Sequence, residues 1–290
     1  MKKFPKQYIH IHFYLLFFIH IHSLIIFIEL FFQEGQKMAI INFDFFSPNV
    51  WKTVHATVIL PCGEADGNVE PPYRTLYWLP GFSSSASDIL TMTSIRLNAT
   101  RNGIAVVIVD GDNSFYVDRA TWLNYGKMVA EDLVSATRQA FRLSDKKEDT
   151  FIGGNSMGGY GAFYNGLRYT DTFSKIVTLH PGFEAYAVTL PGTDILAFPQ
   201  DFLDRMFGSR ENYYDLYHYT ALLENADKSR MPEIFHSCGD ADPLVGEINS
   251  RFKAYWEEKQ LPFRFMEAPG GHDEVFLNNI LPHVFAFLKK

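Results

Sequence analysis

A serine within a glycine-rich turn is the residue whose surroundings most clearly suggest chemistry. Residues 151–163 read FIGGNSMGGYGAF, in which Gly154, Ser156 and Gly158 form the pattern G-x-S-x-G. In this pattern a strand turns sharply into a helix and presents the serine hydroxyl at the apex. Because the pattern is short and also arises by chance, it predicts a nucleophile only where a base and an acid accompany it.

The residues that would activate this serine follow it in the expected order. A serine hydroxyl needs a base to take its proton, and the base needs an acid to orient it; after this turn the acid precedes the histidine. The strand-like segment 233–239 runs into a turn that contains Asp240 and Asp242, and the residues alone allow either as the acid. His272 sits in the glycine-rich loop APGGHDE before the closing helix. We therefore predict a relay from Ser156 through His272 to one of these aspartates.

Two backbone amides are expected to bind the oxyanion that forms when serine attacks a carbonyl. One is the amide of Met157, the residue after the nucleophile, and the other comes from the loop after an early strand. That loop is PGFSSSASD, which follows the strand-like RTLYWL. We predict the Phe82 amide as the second donor, with Ser83 as the alternative.

The composition narrows the class of protein. The chain has 290 residues, 47% of them hydrophobic, and a formal net charge of −7. This is enough apolar material for a large core, and the acidic balance argues against a nucleic-acid surface. Cys62 and Cys238 lie far apart with no Cys/His cluster, so we expect neither a zinc site nor a disulfide framework. The simplest interpretation is two reduced thiols in a cytoplasmic protein, and a single disulfide bridge is the alternative.

The segment DGDNSFYVDRAT (110–121) resembles a calcium-binding loop at two positions, Asp110 and Asp112. Its sixth residue is Phe rather than Gly and its twelfth is Thr rather than Glu, so the calcium interpretation fails. We expect Asp110, Asp112 and Asn113 to form hydrogen bonds to the loop beside the active site instead. No metal or cofactor is expected.

Four aromatic residues are candidates for lining a substrate pocket: Phe115, Tyr116, Trp122 and Phe183. Large aromatic side chains also fill hydrophobic cores, and a core role is the alternative for each of them.

Short apolar runs alternate with helical patterns from residue 38 onward. Strands are predicted over 53–60, 74–80, 104–110, 149–154, 174–180, 233–239 and 262–268, and helices over 127–141, after Ser156, and over 247–259 and 273–290. This alternation indicates a mostly parallel central sheet with helices on both faces. Residues 183–230 interrupt it and are predicted to be a small helical insertion over the ligand-binding end of the sheet, with a plain surface excursion as the alternative.

Residues 1–37 differ from the rest of the chain, because they are dense in Phe, Ile and His and repeat IHIH. Three interpretations are open: upstream sequence from a start assigned too early, a signal peptide or membrane anchor, and a disordered extension. We favour the first, with a single domain over 38–290. Contact with a membrane is expected only if 1–37 is an anchor.

Taken together, these motifs resemble the tributyrin esterase branch of the esterase D family. The resemblance rests on GNSMGGYGA, the LPGF loop, NSFY at 113–116, the G-x-x-D turn at 239–242 and PGGH at 269–272, and it extends over 38–290. It implies an α/β-hydrolase fold and a serine carboxylesterase that acts on short acyl chains. By the family's G-x-x-D pattern the acid is Asp242 rather than Asp240. The chain departs from many relatives at Pro80, where they carry His or Ser, and at Asn155, where Leu or His is usual.

The resemblance leaves related activities open. S-formylglutathione hydrolases, which cleave a thioester, and acyltransferases, in which an alcohol replaces water, share the same machinery. A non-catalytic binding module on the same scaffold is least expected, because all the catalytic residue types are present. The predicted partner is a small-molecule ester, and a homo-oligomer is compatible with the sequence.

Overall fold

An eight-stranded sheet forms the centre of the computed structural model, which describes residues 38–62, 70–119 and 123–290. The strands are Ala39–Ser47 (β1), Lys52–Leu60 (β2), Thr75–Leu79 (β3), Ala105–Val109 (β4), Thr150–Asn155 (β5), Lys175–Leu179 (β6), Glu233–Gly239 (β7) and Phe263–Ala268 (β8). Their spatial order is β1-β2-β4-β3-β5-β6-β7-β8. Every strand expected from an apolar run forms within a residue of its predicted bounds, and β1 is an addition to the prediction.

The strands run parallel from β4 to β8, whereas β2 pairs antiparallel with both β1 and β4. The parallel strands end level with one another: Asn155 of β5 pairs with Leu179 of β6, which pairs with Ser237 of β7. Gly239 of β7 in turn pairs with Ala268 of β8. The residues that follow these four strands therefore meet at one edge of the sheet, where ligands bind in open α/β sheets.

Helices cover both faces of the sheet, as the alternating pattern predicted. They are Ala86–Met92 (α1), Ile95–Asn102 (α2), a continuous helix of Tyr125–Lys127, a π-helical turn Met128–Leu133 and Val134–Ala140 (α3), Met157–Arg168 (α4), Gln200–Phe207 (α5), Tyr219–Asn225 (α6), Gly246–Glu258 (α7) and Glu274–Lys289 (α8). Alternate strand residues face opposite layers, so that Tyr77 and Ile152 pack under α3, α4 and α7 while Leu76 and Phe151 pack under α1, α2 and α8.

The glycines around the serine allow α4 to pass very close to the sheet. A Cβ on Gly158 would lie 1.8 Å from the carbonyl oxygen of Leu79 in β3, and one on Gly154 would lie 2.4 Å from the carbonyl oxygen of Gly158. Neither glycine has a positive φ. These glycines therefore serve close packing of α4 on β3 and β5, and the sharp bend itself falls on Ser156.

The insertion over 183–230 contains α5, α6, a short helical turn Arg210–Asn212 and a π-helical turn Tyr213–Tyr217. It reaches the functional edge of the sheet through Phe198 and Phe202, whose rings meet Phe82 edge-on with centroids 5.0 and 5.7 Å away. The predicted helical insertion over the ligand-binding end is therefore present.

Several predictions from the sequence fall on other parts of the chain. The interpretations of residues 1–37 and of Trp122 lie outside the described residues. Cys62 and Cys238 are both free thiols, so the single bridge that the sequence left open does not form. Within the residues that the structure describes, every helix falls short of the length and hydropathy that crossing a bilayer requires.

Candidate active site

Ser156 occupies the sharp turn between β5 and α4. Its backbone has φ 55° and ψ −120°, a conformation that costs a non-glycine residue about 1–3 kcal/mol. The turn is held by hydrogen bonds on both sides, because the Ser156 N–H donates to the Leu179 carbonyl at 2.9 Å and the Tyr160 N–H donates to the Ser156 carbonyl at 3.1 Å. The strain is thus maintained by β6 and by the first turn of α4.

The structure brings the three predicted side chains into one hydrogen-bonded chain. Nε2 of His272 lies 2.9 Å from Oγ of Ser156, and Nδ1 lies 2.8 Å from Oδ2 of Asp242. With its proton on Nδ1, the ring donates to Asp242 and leaves Nε2 free to accept from the serine hydroxyl. Asp240, the alternative acid, instead accepts from the Gly270 N–H at 3.1 Å and braces the loop that carries His272.

The Asp242 carboxylate is suited to remain ionised at this position. Burial raises the pKa of Asp242, but the hydrogen bond and charge of His272 and the amides of Val245 and Leu244 outweigh it, so the pKa lies below its ordinary value. The Leu244 and Val245 amides donate to Oδ1, at 2.9 and 3.0 Å respectively, which leaves Oδ2 to His272. Asp242 can therefore hold one tautomer of His272 and stabilise its cationic form.

The two amides expected to bind an oxyanion stand in different local settings. Met157 is the first residue of α4. The N–H groups of this first turn have no partner within the helix and form the positive end of its dipole. Among the described residues the Phe82 N–H has no protein acceptor, whereas the Ser83 N–H donates to Oδ1 of Asn113 at 2.6 Å. This difference favours Phe82 over Ser83 as a donor to substrate.

The loop after β4 forms hydrogen bonds to the segment that follows β3. The sequence predicted such bonds for Asp110, Asp112 and Asn113, and two of these three residues make them. Asp110 accepts from the Ala86 N–H at 2.8 Å, and Asn113 accepts from Ser83. Asp112 differs from the prediction, because its carboxylate is bound by the Tyr125 hydroxyl at 2.7 Å and by the ammonium of Lys52. Asp112 therefore ties the loop to α3 and β2.

A cavity of about 180 Å³ opens at Ser156 and His272. Its apolar part is formed by Phe82, Ile89, Met92 and Leu277, and its polar part includes the acidic residues Asp88, Asp273 and Glu274. No lysine or arginine belongs to the described residues that line it. Its volume is below the range of about 300–1,000 Å³ that is usual for drug-sized ligands.

Three of the four aromatic residues proposed as pocket lining lie away from the cavity. Phe115, Tyr116 and Phe183 are at most 1% exposed, and none of them lines the cavity beside Ser156. The Tyr116 hydroxyl donates to the Pro80 carbonyl at 3.1 Å, which supports the Phe82 loop from beneath. The pocket interpretation of these three residues is corrected to a core role, because their buried rings pack against other core side chains, such as Tyr160 beside Phe115 and Phe163 beside Phe183.

His180, Asp242 and His272 also place three potential metal ligands within 4.8 Å of one another. The rings of the two histidines are stacked, with centroids 4.1 Å apart and planes inclined by 24°. Two of these three groups, His272 and Asp242, are already joined by the hydrogen bond between Nδ1 and Oδ2 that the relay requires. From the sequence, His180 was identified only as the last residue of a predicted strand. In the sheet this strand ends beside the strand that precedes Ser156, and that alignment is the signal that could have assigned His180 to the site.

A family model described as "Putative esterase" matches residues 47–279. An acetyl esterase from Caldicellulosiruptor saccharolyticus is 30% identical over 265 residues, which cover 87% of this chain and 99% of that relative.

Solved structures give the same picture. FphF, a fluorophosphonate-binding serine hydrolase of Staphylococcus aureus, superposes with a TM-score of 0.75 at 27% identity, over 87% of this chain and 99% of its own. The S-formylglutathione hydrolase FrmB from Staphylococcus aureus superposes with a TM-score of 0.74 at 27% identity, over 88% of this chain and 100% of its own. Together with the mostly parallel sheet, these matches confirm the predicted α/β-hydrolase fold.

Proposed function

This chain belongs to the Putative esterase family, and we propose that it hydrolyses esters of short acyl groups with Ser156 as the nucleophile. It is a serine hydrolase of carboxylic esters, and its substrates are small-molecule esters. The observation that carries the proposal is the hydrogen-bonded relay from Oγ of Ser156 through His272 to Asp242.

In the proposed mechanism Oγ of Ser156 attacks the ester carbonyl while Nε2 of His272 accepts the hydroxyl proton. Asp242 keeps the other proton of the ring in place and stabilises the imidazolium that forms. The amides of Phe82 and Met157 bind the oxyanion, an interaction worth about 2.7–4 kcal/mol for each donor. His272 then protonates the leaving alcohol, and water repeats the sequence on the acyl-enzyme to release the acid and restore the serine.

The size of the cavity supports a short acyl group. About 180 Å³ is available beside Ser156, and its apolar part is closed by Ile89 and Leu277, which are nearly buried. A long acyl chain would have to leave this space and lie on the surface, where it gains little from burial.

A series of p-nitrophenyl esters from acetate to octanoate tests this substrate size. We expect kcat/KM to be highest for acetate or butyrate and to fall at least about tenfold by octanoate, because the added methylenes stay in water. A kcat/KM that rises steadily to octanoate would refute the short-acyl proposal.

Hydrolysis of S-formylglutathione is the second candidate, favoured by the likeness to the S-formylglutathione hydrolase FrmB. The acidic residues around the cavity disfavour binding of S-formylglutathione. Asp88, Asp273 and Glu274 line the opening without a lysine or arginine among the described lining residues, and the glutathione moiety, with two carboxylates and one ammonium group, carries a net negative charge. Like charges without a counter-ion disfavour binding. Side-by-side rates should therefore favour the neutral ester, and a larger kcat/KM for S-formylglutathione would reverse this order.

Replacing Ser156 by Ala tests the proposed nucleophile. We expect p-nitrophenyl acetate hydrolysis to fall by several orders of magnitude, with thermal unfolding close to that of the wild type. A fluorophosphonate probe should label the wild type at Ser156 and leave the variant unlabelled. Retention of near-full activity by S156A would overturn the mechanism.

A cytoplasmic location is the remaining part of the proposal. It is supported by the exposed free thiol of Cys62, because exposed thiols persist in reducing compartments. Mass spectrometry of the native N-terminus, together with cell fractionation, would test it.

A further inference from the structure

His180 is a buried imidazole beside the relay that the proposed mechanism does not use. It follows β6 directly, and its side chain is 2% exposed. Its ring is stacked on that of His272 with centroids 4.1 Å apart, and Phe276 of α8 packs against it at 4.7 Å. His180 therefore forms part of the surface against which the catalytic ring rests.

Nδ1 of His180 lies close to Oδ2 of Asp242, the same oxygen that accepts a hydrogen bond from His272. Nδ1 of His180 lies 3.7 Å from Oδ2 of Asp242 and has no hydrogen-bond partner among the described residues. Buried polar atoms without a partner are uncommon and call for an explanation. The backbone holds the residue in place, because the His180 N–H donates to the Ser237 carbonyl at 2.7 Å while φ takes the strained value of 33°.

The surroundings of His180 keep its ring neutral. Burial lowers the pKa of His180 well below its ordinary value and the neighbouring His272 lowers it further, while Asp242 and the backbone of Gly271 act in the opposite direction. A neutral ring avoids two stacked cations when His272 takes up the serine proton. Its single ring proton then resides either on Nδ1, toward the carboxylate, or on Nε2.

We propose that His180 is a positioning residue, whose neutral ring carries its proton on Nδ1, directs that N–H at Asp242 and holds the His272 ring between Asp242 and Ser156. The inference rests on the proposed function. The contact of 3.7 Å is longer than a hydrogen bond in the free enzyme. Catalytic hydrogen bonds often tighten only when substrate binds.

One further titratable group lies against Asp242 in the described part of the chain. Sγ of Cys238, from β7, is 3.8 Å from Oδ2, and burial followed by the charge of Asp242 raises the pKa of this thiol. Cys238 therefore stays protonated and does not compete with the histidines for a proton.

The first test is the protonation of the wild-type ring. ¹⁵N NMR of the histidine side chains in the whole chain distinguishes a protonated from an unprotonated ring nitrogen. We expect His180 to be neutral near neutral pH with the proton on Nδ1. A proton on Nε2, or a cationic ring, would overturn the proposal without any variant.

The second test uses two substitutions that separate the ring from its N–H. His180→Phe keeps an aromatic ring on His272 but removes the N–H, whereas His180→Asn retains an amide N–H near the position of Nδ1. We expect H180F to lower kcat about 10-fold to 100-fold with KM within about twofold, because the variant loses a hydrogen bond to a charged group. H180N retains such a bond, and its kcat should stay within about fivefold of the wild type.

The pH profile adds a readout that a merely structural role would not move. Without the N–H, the charge of Asp242 is less neutralised and retains the proton on His272 more strongly, so the acid limb of kcat/KM for H180F should move to higher pH. Equal losses in both variants with an unmoved acid limb would contradict the proposal. Failure of the proposed function is a separate result, because the wild type itself would then be inactive and its Ser156 unlabelled.

Discussion

Asp240 and Asp242 show how two chemically identical side chains in one turn can have different tasks. Asp242 is buried and contacts Nδ1 of His272, while the exposed Asp240 accepts from the Gly270 N–H. Burial and two backbone amides fix the first, whereas the second stabilises a loop. The two residues therefore form a matched pair for mutation.

We expect Asp242→Asn to lower kcat by about 10⁴, because an amide favours the wrong tautomer of His272. Asp240→Asn should stay within about tenfold, because it only weakens one hydrogen bond to the loop. Initial rates with p-nitrophenyl acetate, alongside thermal unfolding of both variants, measure the difference. The reverse order of effects would assign the acid to Asp240.

Asn113 offers a second test at the residue scale, because its Oδ1 holds the Ser83 amide and with it the loop that carries the Phe82 N–H. Its φ of 54° is one that Gly and Asp also tolerate. We expect Asn113→Gly to lower kcat about tenfold with little change in KM, since the oxyanion donor becomes less fixed. Asn113→Asp keeps the acceptor oxygen and should recover most of kcat; no recovery would argue against this role.

At the scale of elements, the shared register of β5 to β8 determines which residues can meet. Because Asn155, Leu179 and Ser237 are paired across three strands, the next residues of each strand reach the same edge. The helix that follows Ser156 must also lie close to β3, so that the loop carrying Phe82 can reach it. That closeness depends on Gly158.

Gly158→Ala should be strongly destabilising, because its Cβ would lie 1.8 Å from the Leu79 carbonyl oxygen. We expect a loss of about 3 kcal/mol in the free energy of unfolding, the upper end of the usual cost of overpacking. Gly182→Ala is the control, since a Cβ there meets nothing within 4 Å. Urea unfolding of both variants tests this, and equal stabilities would contradict the close packing of α4.

For the molecule as a whole, buried neutral histidines make stability depend on pH. His236 is fully buried between the helices and the sheet, and burial lowers its pKa to about 3 despite a hydrogen bond at Thr178. In an unfolded chain the pKa of histidine is about 6.5. Between these values the unfolded chain binds a proton that the folded chain does not, so stability falls as the pH falls through this window.

We expect the free energy of unfolding to drop by up to about 1.4 kcal/mol per pH unit for each such histidine below about pH 6.5. His180 adds to this slope, and the lowered pKa of Asp242 extends the loss to more acidic pH. His236→Gln should show a smaller slope than the wild type in denaturant titrations, whereas the exposed His283→Gln should keep the wild-type slope. Identical slopes in all three proteins would refute this origin.

The sequence by itself determined seven of the eight described strands, the order of the chemistry-bearing residues and the class of reaction. Apolar runs buried on both faces and the glycine-rich turn at Ser156 are local patterns, and local physics suffices to interpret them. The position of His272 after a late strand followed from the same pattern.

Only the tertiary structure decided which neighbours those residues have. It placed Asp242 against His272, a choice that the residues alone left open and the family resemblance implied. It also bound the Ser83 amide while leaving that of Phe82 free, and it placed Phe115, Tyr116 and Phe183 in the core. It also stacked His180 on His272. These outcomes depend on strand order and register, which join residues distant in the chain, and no local periodicity encodes the distance between two such side chains.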